Sequence, residues 1–110
     1  LGPKIKLENT YSVRDFISIN DFVIILTSMI DLMPRGIFNI STGRGTQIDQ
    51  ILIYMTEIMN KYKYKLEVND KSNRISNLVL DNSKIKNLCN IDINIDIKDI
   101  IRDLIENKKI

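Results

Sequence analysis

The sequence predicts a small α/β unit of the α+β kind, a single domain over residues 1–110 with about four helices and short strands. Three observations carry that expectation. The chain has 110 residues and is 44% hydrophobic, which suits one modest core and no more. Apolar residues at helical spacing alternate along the chain with short strand-like runs. No Gly-x-Gly-x-x-Gly follows a first strand, and buried strands are too few for a doubly wound nucleotide-binding (Rossmann) core.

The elements follow in order. Lys4–Leu7 and Val13–Ile19 are strand-like. Asn20 or Ser18 is placed to cap a helix running to about Met33, with Phe22, Ile25, Leu26, Met29, Ile30 and Met33 on one face. Pro34-Arg35-Gly36 stops it, and Ile37–Ser41 reads as a short strand. Thr46-Gln47-Ile48-Asp49 fits a capping box for a second helix carrying Ile48, Ile51, Leu52, Met55, Met59 and Tyr62. Lys65–Val68 and Asn77–Leu80 are candidate strands around the polar loop Asn69–Ser76. A short helix follows Asp81 with Ile85 and Leu88 inward, and Asp96 caps a last helix with a stripe of Ile97, Ile100, Ile101, Leu104 and Ile105. These stripes are expected to be core faces rather than partner surfaces.

Composition excludes several chemistries. There is no histidine, so neither a Ser-His-Asp or Cys-His site nor a histidine-ligated metal can be built. The one cysteine, Cys89, cannot form an internal disulfide or a Cys-x-x-Cys site, and its place on an apolar helix side predicts a buried, inert thiol. No metal site is expected. The net charge of +2 does not by itself argue for nucleic acid or an anionic membrane, and no apolar run is long enough to span a bilayer.

Four places could carry recognition chemistry. Arg14 sits at a strand end beside a helix start, where its rigid fork of donors suits phosphate oxygens; the plain alternative is a surface arginine paired with Asp15 or Asp21. Gly43-Arg44-Gly45-Thr46 is a glycine turn entering a helix, an anion site through exposed N–H groups and the helix dipole or, as most such turns are, a plain chain reversal; Arg44 is a candidate ligand there. The loop Asp70-Lys71-Ser72-Asn73-Arg74 offers two more cations. Finally, Lys61-Tyr62-Lys63-Tyr64-Lys65 alternates cations with aromatics, as a strand that stacks single-stranded bases would, or as a charged edge strand that discourages sheet pairing.

Two segments, Arg14-Asp15-Phe16-Ile17 and Phe38-Asn39-Ile40, together with Asp81-Asn82-Ser83-Lys84, resemble a known family at the same order and separation. It is the carboxyl-terminal, substrate-binding region of the NAD(P)-dependent sugar-nucleotide epimerases and dehydratases, the extended short-chain dehydrogenase/reductases. The resemblance runs from about residue 10 to residue 107, with Leu88 and Asp99 also in register. It implies that Arg14 contacts the diphosphate of a nucleotide sugar. It implies a second phosphate contact at Lys71, which stands where the family has an arginine, with Arg74 as the rival. Arg44 is a further candidate, and Asp81 caps the next helix. The strand at Phe38 would complete the sheet of a cofactor domain.

The family's Tyr-x-x-x-Lys pair has no match: Tyr11, Tyr54, Tyr62 and Tyr64 lead to Asp15, Ile58, Leu66 and Val68. The resemblance therefore implies a cytoplasmic chain that binds substrate and is inactive alone, with no catalytic residue and no cofactor site of its own. NAD or NADP would be held by a missing cofactor-binding half. The alternative reading is a stand-alone interaction module whose exposed apolar patch could form a homodimer.

Overall fold

The computed structural model describes residues 4–58, 65–68 and 75–107. Its elements are β1 (Lys4–Leu7), β2 (Val13–Asp15), α1 (Ile19–Leu32), β3 (Gly45–Gln47), α2 (Ile48–Ile58), β4 (Lys65–Val68), β5 (Asn77–Leu78), α3 (Ser83–Cys89) and α4 (Ile97–Glu106). The expected α+β architecture of four helices and short strands is what the described residues form.

Strand β2 is the centre of a three-stranded sheet ordered β3-β2-β5. It runs antiparallel to β3, with Arg14 opposite Thr46 and Asp15 opposite Gly45. It runs parallel to β5, with Arg14 opposite Leu78. Strands β1 and β4 form a separate parallel pair.

Gly45 is required by close approach. A Cβ there would lie 2.7 Å from the Val79 Cγ2 and closer still to the Val13 Cγ1. The two valines therefore occupy the space that a side chain would need.

Local chemistry sets the helix ends. Ser18 is the N-cap of α1: its Oγ accepts from the Asp21 N–H at 3.1 Å. The helix ends at Met33 in the left-handed region (φ 47°), whose N–H donates to the Met29 carbonyl. Asp96 caps α4 by accepting from the Asp99 N–H at 3.2 Å, as expected.

The expected capping box at Thr46 does not form. Thr46 lies within β3, and α2 follows that strand without a loop. Its first amides donate instead to main-chain carbonyls, Ile48 to Ser12 and Asp49 to Thr10. The turn between β1 and β2 thus caps α2, a service no local sequence pattern could announce.

The core is small. Ile25 of α1, Ile85 of α3 and Ile101 of α4 are its buried apolar side chains among the described residues. Helix α1 packs on α3, and α2 on α4. The helical stripes are not all core faces. On α1, Ile25 is buried and Phe22 and Met29 are half-buried, but Leu26, Ile30 and Met33 are exposed, as are Val23 and Ile24. Leu104 of α4 and Met55 of α2 are exposed as well, while Met59 and Tyr62 lie outside the described residues. Spacing places residues on one helix side. It does not say whether a neighbouring element covers that side.

Other boundaries shift too. The strand expected over Val13–Ile19 is paired only over Val13–Asp15, and that over Asn77–Leu80 only over Asn77–Leu78. Ile37–Ser41 forms no strand. Side chains, not a ladder, tie it to the approach of α3: Asn39 Nδ2 donates to the Asp81 carbonyl, Ser41 Oγ to that of Leu80, and Asn82 Nδ2 to that of Ser41. Cys89 is half-buried rather than buried. Among the described residues no helix is long and apolar enough to cross a membrane.

Candidate functional site

The end of β2 carries Arg14 and Asp15, each of which is bonded to residues distant in the chain. Arg14 and Asp15 leave the strand toward opposite faces. The Arg14 guanidinium donates from Nη1 to the carbonyls of Val13 (2.8 Å) and Ser76 (3.0 Å), and from Nη2 to the Ser76 hydroxyl (2.9 Å). Neither carboxylate proposed as its surface partner is its partner here. Asp15 binds the glycine turn, and buried Asp21 accepts from the Asn94 N–H at 2.9 Å, fastening the loop before α4 to the first turn of α1.

Asp15 changes the reading of Gly43-Arg44-Gly45. Its Oδ1 accepts from the Thr42 N–H and hydroxyl, and its Oδ2 from the Gly43 N–H. Gly43 sits at φ 74°, the left-handed conformation that turns its N–H toward the carboxylate. The anion on the turn amides belongs to the chain itself. An external diphosphate, from substrate or cofactor, finds these amides already engaged, so the turn does not fit a dinucleotide.

The Arg44 side chain lies elsewhere. It lines a cleft of about 340 Å³ with Gln50, Tyr54 and Asp96, which Arg14 does not line. Lys71 and Arg74 lie outside the described residues, as does the Lys61–Tyr64 stretch, while Lys65 begins β4.

The N-cap of α3 is Asn82, which makes no side-chain cap bond, rather than Asp81 as the motif implies; Asp81, one residue earlier, instead accepts from the Ser83 hydroxyl at 2.7 Å and the Ser83 N–H at 2.9 Å. Those two bonds hold its pKa below the ordinary value of 3.8. Two residues of this region were not legible as site residues. Asp15 stands beside Arg14 in the sequence, but the glycine turn it binds lies 28 residues further on. Ser76 carries no local signal, because its relation to Arg14 exists only through the parallel pairing of β2 with β5.

No protein-family model matches the sequence, and no curated protein matches it. Solved structures do. The chain has the fold of one part of the NAD-dependent sugar-nucleotide epimerases and dehydratases. RMD from Pseudomonas aeruginosa, complexed with NADPH, superposes with a TM-score of 0.80 at 12% identity, over 94% of this chain and 35% of that one. UDP-glucose 4-epimerase from Bifidobacterium longum, in complex with NAD+ and UDP, gives 0.75 at 16% identity over the same shares, 94% and 35%. The Bordetella bronchiseptica enzyme WbmG, in complex with NAD, gives 0.68 at 27% identity over 89% of this chain and 31% of that one. This chain thus spans about a third of the length of the proteins it resembles.

Proposed function

We propose that this chain is the substrate-binding part of an NAD(P)-dependent sugar-nucleotide epimerase or dehydratase, and that it holds the diphosphate of the nucleotide sugar. The observation that supports this reading is the extent of the likeness: nearly all of this chain and a third of theirs. Arg14 is the main phosphate contact. Its bonds to Val13 and Ser76 use three of the five N–H donors of a guanidinium, and the others have no acceptor among the described residues. Lys71 or Arg74 supplies a second cation. Catalysis and the nicotinamide cofactor belong to a cofactor-binding half. That half would cover the exposed apolar side of α1 and pair with Ile37–Ser41.

The test is a titration of UDP into this chain, followed by NMR, with Arg14→Ala alongside. We expect Arg14→Ala to weaken binding by about 1.5–3 kcal/mol, the worth of hydrogen bonds to a charged group. Equal affinities would remove Arg14 from the site. Micromolar binding of NAD by the chain alone would overturn the division of labour.

One observation favours a second reading, a stand-alone interaction module. Val23, Leu26 and Ile30 expose an apolar side of α1, and such a face associates in water. Sedimentation velocity decides: a stable dimer abolished by Ile30→Lys favours the module, and a monomer counts against it.

A further inference from the structure

The deepest of the contacts around Arg14 in sequence terms is with Ser76, which lies 62 residues along the chain. One residue receives the guanidinium twice, through its carbonyl on Nη1 and its hydroxyl on Nη2. The same carbonyl accepts from the Val13 N–H at 2.9 Å, and the Ser76 N–H donates to the Oγ of buried Ser12 at 3.2 Å. Ser76 is therefore itself fixed to β2 by its main chain, so its hydroxyl is a placed acceptor rather than a wandering one.

Donor accounting shows the consequence. Both N–H groups of Nη1 are taken by carbonyls, and one of Nη2 by the hydroxyl. The N–H of Nε and the second N–H of Nη2 remain without an acceptor among the described residues. These two lie side by side on one edge of the planar group. That edge is the fork that receives two oxygens of a phosphate or carboxylate.

We propose that Ser76 is a positioning residue: by holding the Nη1–Nη2 edge of Arg14, it presents the Nε–Nη2 edge to two oxygens of the substrate diphosphate. The inference rests on the reading of Arg14 as the phosphate contact. Its physical basis is preorganisation. An arginine side chain loses much rotamer freedom on binding a ligand, and less if its plane is already set.

The experiment is a double-mutant cycle read by NMR titration with UDP on the wild-type chain, Ser76→Ala, Ser76→Thr, Arg14→Ala and the Ser76→Ala/Arg14→Ala pair. We expect Ser76→Ala to weaken UDP binding by about three- to tenfold, Ser76→Thr to restore it, and Ser76→Ala to add nothing once Arg14 is gone. In parallel, the Arg14 Nη protons should give separate, slowly exchanging signals in the wild type that coalesce in Ser76→Ala. A Ser76→Ala chain that binds UDP as the wild type does, while Arg14→Ala does not, overturns the role of Ser76 and leaves Arg14 in place. Equal binding by wild type and Arg14→Ala, or no binding by either, overturns the reading of Arg14 and the role of Ser76 with it. Coalesced Nη signals in the wild type overturn the positioning directly.

Discussion

Asp15 and Thr42 are joined twice through one oxygen: Asp15 Oδ1 accepts from the Thr42 N–H at 3.0 Å and from its hydroxyl at 2.5 Å. With the Gly43 N–H on Oδ2 at 2.9 Å, one carboxylate organises the turn that leads into β3. Asp15→Ala is expected to destabilise the chain by about 1–2 kcal/mol, since charge-assisted bonds are lost from a half-buried group. Thr42→Val, which removes only the hydroxyl, should cost less. Urea denaturation measures both, and a loss for Asp15→Ala no larger than that for Thr42→Val, whose hydroxyl also bonds the Arg44 main chain, would contradict this ranking.

Gly45→Ala should destabilise by about 1–3 kcal/mol through overpacking. The new methyl would meet Val79 Cγ2 at 2.7 Å and press harder on Val13. Thermal unfolding reads the effect, and an unchanged midpoint would show that the valines yield without cost.

Met33→Gly should stabilise. Met33 holds the left-handed φ of 47° at the end of α1 and is 80% exposed, so its side chain contributes little packing. Removing Cβ relieves strain of about 1 kcal/mol, partly offset by the freer unfolded chain. A lower melting temperature for the variant would contradict this.

Acid should weaken the start of α3. Ser83 bonds the ionised form of Asp81, so the folded pKa lies below the ordinary 3.8. As pH falls, the unfolded chain takes up this proton first. The contribution of Asp81 is therefore complete above its ordinary pKa and is lost as pH drops through the lower folded value. Melting temperature against pH should fall less steeply on the acid side for Asp81→Asn than for the wild type; superimposed acid limbs would refute the assignment.

Local chemistry was legible where a residue acts on its near neighbours. Asp96 caps α4 and Ile85 is buried as the sequence alone determined, and of the two residues the sequence offered as the cap of α1, Ser18 is the one that serves; Asp81 bonds Ser83 at the start of α3. These effects span three residues or fewer, or one helical face. The tertiary structure decided the rest. It gave the first amides of α2 to Ser12 and Thr10, filled the glycine turn with Asp15, left one side of α1 exposed, and set Ser76 against Arg14. Each of these depends on which strand lies beside β2 and on what covers a helix, and pairing partners distant in the chain leave no trace in spacing or composition.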